Sequence, residues 1–177
     1  MINSFATISV FTGNTALFTH LWLVYKSFLC IEFLFACSKN ELVSTIFTGV
    51  EGCNLLKKFD CSVNYLSGEL DMSNYPHLYT LNCGANSITA IDVEACTAMT
   101  TLTCDNTLIT ELNVSTLTLL ESLVANDCML TVMDCSNNLS LKTLHLQGNP
   151  LTSLILAQGQ GIADLKVDNF DVISYKE

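Results

Sequence analysis

The chain has 177 residues, half of them apolar, with 7 lysines, no arginine, 17 acidic residues and a formal net charge of -10. So high an apolar fraction excludes a disordered polypeptide and allows one sizeable buried core behind an N-terminal leader. The acidic balance excludes a nucleic-acid partner: a polyanion is repelled, and without arginine there is no planar fork for phosphates or base edges.

Residues 1–36 form the first element and hold only Lys26 and Glu32 as charges. The segment ALFTHLWLVYKSFLCIEFLFA (16–36) is long enough to cross a bilayer as a helix. Each of its two charges would cost about 2.5 to 3.5 kcal/mol near the helix centre, which makes an uncleaved anchor expensive. A second reading uses only Lys26, the short apolar run after it, and Leu34-Phe35-Ala36-Cys37 followed by polar residues. This is similar to a bacterial lipoprotein signal, in which a small residue precedes the cysteine that is lipidated and becomes the mature N-terminus. ACSKNE resembles the start of surface lipoproteins of the Bacteroidetes type. The resemblance implies an apolar leader helix within 1–37, lipidation at Cys37, a linker over 38–45 and a place on the cell surface or outer membrane. Membrane contact is then confined to the leader or lipid, and the protein is secreted if the anchor is absent.

From residue 46 to residue 177 the sequence repeats with a period of 21. Leu78, Met99, Leu120, Leu141 and Ile162 make one apolar column, and Leu81, Leu102, Leu123, Leu144 and Leu165 the next. Cys83, Cys104, Ala125, Leu146 and Val167 make a third. Ile88, Ile109, Leu130, Leu151 and Val172, then Ile91, Leu112, Met133, Leu154 and Tyr175, complete the five. An earlier unit starts at Leu56 and is one residue longer. The pattern L-x-x-L-x-(L/C)-x-x-N-x-(L/I), fullest in LYTLNCGANSI and LKTLHLQGNPL, resembles the leucine-rich repeats. That family implies a right-handed, mostly β solenoid with a parallel sheet of about six short strands. Physical reasoning agrees, since one such unit cannot cover its own apolar face but stacked neighbours can. A 21-residue turn leaves little room for helix, and AIDV, ELNV and VMDC alternate, so extended or second-strand structure is expected on the outer side.

The nine cysteines invite zinc or disulfides, but their shortest spacings are seven and eight residues rather than the C-x2-C pair that places two thiolates on one ion. Cys61, Cys83 and Cys104 share a column with Ala125, Leu146 and Val167, and Cys96 shares one with Tyr75 and Leu117, so they are expected to be buried hydrophobes rather than nucleophiles. Asn64, Asn86 and Asn149 can bond buried backbone at a corner, while Thr107, Cys128 and Phe170 replace them, predicting looser turns at 107 and 128 and a degenerate last turn. Asp71, Asp92 and Asp134 recur with Asn113 in one column and are expected as solvated corner residues, not calcium ligands, because the calcium β-roll nonapeptide is missing.

No nucleophile elbow, Walker loop or H-E-x-x-H occurs, so neither an enzyme nor a cofactor is expected. Side chains alternate along a strand, so residues flanking the inward leucines face out of the main sheet. Tyr79, Asn82, Thr101, Thr103, Glu121, Lys142 and His145 are therefore the expected ligand-binding surface. The family resemblance implies a protein, peptide or glycan ligand there; the alternative is a structural spacer within a larger surface protein.

Overall fold

The computed structural model describes residues 55–177 and, before them, the backbone of two strands, β1 (Thr7–Ser9) and β2 (Phe33–Ala36). The expected lipidation site Cys37, the expected linker over 38–45 and most of the expected leader helix lie outside the described residues. Where the leader is described, it is extended, and β2 pairs in parallel with β3 (Leu56–Asp60). The continuous apolar run Phe33-Leu34-Phe35 suits a strand that continues the sheet as well as it suits a signal helix, because such short runs carry no period of their own.

Each turn of the solenoid gives one strand to the main sheet. After β3 these are β5 (Thr80–Asn82), β7 (Thr101–Thr103), β8 (Ser122–Val124), β10 (Thr143–His145) and β12 (Asp164–Lys166), all parallel. With β1 and β2 the sheet has eight strands. The register places Phe59, Leu81, Leu102, Leu123, Leu144 and Leu165 side by side, 21 residues apart from Leu81 onward. On the outer side, β4 (Ser67–Asp71) pairs with β6 (Ser87–Asp92), and β9 (Val132–Asp134), β11 (Ser153–Ala157) and β13 (Ile173–Lys176) form a three-stranded sheet. Between these two outer sheets, residues 108–113 form no strand.

The core lies between the main and outer sheets and contains the expected columns: Leu78, Met99 and Leu120, then Leu81 to Leu144, then Cys83, Cys104, Ala125 and Leu146, all sealed from solvent. A further inward column, Met72, Val93, Val114, Cys135 and Leu156, follows the aspartates.

The last turn departs from the period. Leu154 pairs with Ile173, 19 residues on, and Tyr175 lies beside Leu156 with its side chain exposed. Tyr175 therefore does not continue the Ile91 to Leu154 column. Asn169 accepts from the Asp171 amide and starts a single 3-10 turn, Phe170–Val172, which replaces the asparagine corner and shortens the unit. Phe170 is exposed, and a cavity of about 40 Å³ lies between Asn149, Val167 and Val172.

Candidate interaction surface

Two internal hydrogen-bond ladders hold the main sheet at its turn spacing. In the first, the Asn86 amide donates to the carbonyls of Cys61, Cys83 and Gly84, at 3.1, 2.9 and 3.1 Å, while its oxygen accepts from Leu66 N at 3.0 Å. Asn149 repeats this, donating to Ala125 O and Leu146 O and accepting from Leu130 N. The rungs expected to be looser are bridged instead: Thr107 Oγ1 donates to Cys104 O at 2.8 Å, and the Cys128 thiol lies 3.3 Å from both Cys104 O and Thr107 Oγ1.

The second ladder runs through the column of Cys96 and Leu117. Cys96 Sγ reaches Met72 O, Asn138 Nδ2 donates to Val114 O and Leu117 O, and Gln160 Nε2 donates to Cys135 O and Asn138 O. Asn138 stands 21 residues after Leu117, in the same column, and that spacing was the available signal.

The aspartate stripe is also structural. Asp71, Asp92, Asn113 and Asp134 each accept, through Oδ1, from the amide two residues on, closing one corner per turn. Hydrogen bonds from Ser73 and Ser136 hold the Asp71 and Asp134 carboxyls below the usual carboxylate range. At the opposite corner Val63, Ala85, Asn106, Asp127 and Gly148 share a left-handed backbone, with φ between 50 and 70°.

The buried thiols are unsuited to nucleophilic work. Desolvation pushes Cys83 and Cys104 well above the ordinary thiol value, and Cys96 and Cys135 to about 12. Among the described residues no group of three or more His, Cys, Asp or Glu side chains is arranged to hold a metal ion. No helix among them is long and apolar enough to cross a membrane.

With interior and corners committed to structure, the outward side of the main sheet is the extended surface. Strands β5, β7, β8 and β10 lie side by side and share one burial pattern, an enclosed leucine between two half-exposed residues. Asn82, Thr101, Thr103 and His145 occupy those outward positions, while Tyr79, Glu121 and Lys142 precede their strands at one rim. At about 4.8 Å per strand the four span roughly 15 Å. The surface is internally paired: Lys58 Nζ sits 5.3 Å from the Tyr79 ring centroid, and Lys142 Nζ is 2.9 Å from Glu121 Oε2. His145 Nε2 meets Asp164 Oδ2 at 2.7 Å, with Lys166 Nζ 3.6 Å from Asp164 Oδ1. The hydrogen bond from His145 is the main cause of a lowered Asp164 pKa.

Repeated parallel turns, an inward leucine ladder and an asparagine corner define the fold as a leucine-rich-repeat solenoid. No protein-family model and no curated protein matches the sequence. Among solved structures, the chain is similar to the functional domain of InlJ from Listeria monocytogenes, with 24% identity and a TM-score of 0.59, over 80% of this chain and 35% of that one. It is also similar to the internalin InlF from Listeria monocytogenes, with 21% identity and a TM-score of 0.61, over 76% of this chain and 40% of that one. A leucine-rich-repeat protein of Leptospira interrogans matches with 19% identity and a TM-score of 0.51, over 80% and 43% of the two chains. The InlJ domain is described as including a cysteine ladder, and Cys61, Cys83 and Cys104 occupy three successive turns here. The chain thus spans less than half the length of each of these structures.

Proposed function

We propose that the chain is a non-enzymatic interaction module of a bacterial cell surface, taking a protein, peptide or glycan partner on the exposed side of its main sheet. The observation that carries this reading is the in-register alignment of outward side chains over β5, β7, β8 and β10, which presents a ruled, polar surface suited to an extended ligand. Tyr79, Asn82, Thr101, Thr103, Glu121, Lys142 and His145 are the proposed contacts, with Tyr79 as anchor because aromatic residues are enriched among binding hot spots. The similarity in fold to bacterial internalins supports a place outside the cell, and the reading includes attachment through a lipid on Cys37.

The test is a screen of the full chain against a glycan array and a displayed-peptide library, repeated with Tyr79→Ala combined with His145→Ala. Ligands lost by the double variant at unchanged melting temperature support the surface; ligands that bind both proteins equally refute it. For the anchor, bacterial expression should give an acylated N-terminal peptide beginning at Cys37, and Cys37→Ala should accumulate precursor. Recovery of residues 1–36 on the mature wild-type protein would rule the anchor out.

One observation favours a second reading, a structural spacer within a larger surface protein: the charged side chains Glu121, Lys142, His145, Asp164 and Lys166 already pair with one another. In that case the screen returns nothing that the double variant changes.

A further inference from the structure

The residue after the asparagine corner points away from the core in successive turns, and nothing in the solenoid requires it to be apolar: turn two has Ser87 there, and Ser87 is exposed. In the next three turns the same position holds Leu108, Met129 and Pro150. Leu108 and Met129 are each 51% exposed, and Phe170, turned outward in the following turn, is 60% exposed. The Leu108 amide donates to Ile88 O and the Met129 amide to Ile109 O, so these residues repeat at the turn spacing. Leu108, Met129 and Pro150 make an apolar ridge about 10 Å long on the edge where the main sheet gives way to the outer side, and Phe170 adds exposed apolar surface in the turn beyond.

The charged residues that stand within three positions of Leu108 and Met129 are all acidic. On the corner side are Asp105 and Asp127, and on the outer side Glu111. The described lysines lie elsewhere: Lys57, Lys58, Lys142 and Lys166 along the main sheet, and Lys176 on β13. Two copies meeting ridge to ridge would bring these carboxylates together, and an anionic membrane would be repelled in the same way. A segment with apolar residues on one side and lysine or arginine on the other complements both features.

We propose that this ridge is a second docking surface, distinct from the main sheet, for a cationic amphipathic segment of a partner protein. The full chain is titrated, by fluorescence anisotropy, into three labelled peptides of equal length: one alternating leucine and lysine, one alternating leucine and glutamate, and one alternating serine and lysine. The leucine–lysine peptide should bind, and the other two should bind at least about tenfold more weakly. Leu108→Ser with Met129→Ser, which copies the residue that turn two carries there, should lower the affinity about tenfold without changing the melting temperature. Tyr79→Ala with His145→Ala should leave it unchanged, which separates this surface from the main sheet. Equal binding of the serine–lysine or leucine–glutamate peptide overturns the proposal, as does loss of binding in the main-sheet variant. Self-association abolished by the serine pair, with no peptide bound, would instead make a second copy the occupant.

Discussion

Truncating Asn86 tests the main internal ladder at its best-bonded rung. Asn86 is buried and makes four hydrogen bonds to backbone groups. Of its partners, Cys61 O also accepts from Asn64 Nδ2, and Gly84 O from Val63 N, so both stay bonded when the amide is removed. Leu66 N and Cys83 O lose their bonds to Asn86, and each buried orphan costs about 1 to 3 kcal/mol. Asn86→Ala should therefore destabilise the chain by about 2 to 6 kcal/mol. Asn86→Thr imitates Thr107, whose hydroxyl donates to the carbonyl three residues back, so it should restore the bond to Cys83 O and lose only that to Leu66 N. Its cost should be roughly half. Equilibrium urea unfolding measures both, and amide exchange at Leu66 should accelerate in both variants. A cost below about 1 kcal/mol for alanine, or threonine no better than alanine, would refute the account, because it would mean that water or a local shift satisfies these groups.

Three further outcomes follow from the corners and the core. Val63 is β-branched at φ 55°, so Val63→Gly should raise stability by about 0.5 to 1 kcal/mol after the extra chain entropy of glycine is set against the relieved strain; Gly148→Ala, at φ 70° and against the Asp127 carboxylate, should lower it, both read by urea midpoints. Because the Asp71 and Asp134 pKa values are lowered by folding, their contribution is present above about pH 4 and is lost as pH falls through the lower folded values. Asp134→Asn, copying Asn113, should keep the corner bond while removing its share of the acid sensitivity in melting curves, whereas Asp134→Ala should lose the bond at every pH. Cys83 and Cys104 should be alkylated slowly in the native protein and rapidly in denaturant, and Leu102→Ala should cost about 2 to 5 kcal/mol against little for Thr101→Ala; equal thiol reactivity in both conditions would contradict their burial.

The period of 21 by itself determined the stacking of Leu81, Leu102, Leu123 and Leu144 and the side of the main sheet on which Thr101 and Thr103 lie, because strand alternation and turn-to-turn covering leave one arrangement that buries every column. The same spacing foretold a second extended side, and burial of the cysteines followed from the residues that share their columns. What a side chain does once it is placed depends on neighbours a full turn away, and the periodicity does not carry that. Asp71 and Asp134 close corners because an amide two residues on turns back toward them. Asn138 and Gln160 donate to carbonyls of the preceding turn, since a buried amide N–H is tolerated only if acceptors are within reach. The last turn left register at Phe170 because an Asn169 cap and a 3-10 turn offered the backbone a shorter closure than the missing asparagine corner. The pairing of His145 with Asp164, and of Lys142 with Glu121, was likewise decided only when separate turns were brought to one strand spacing.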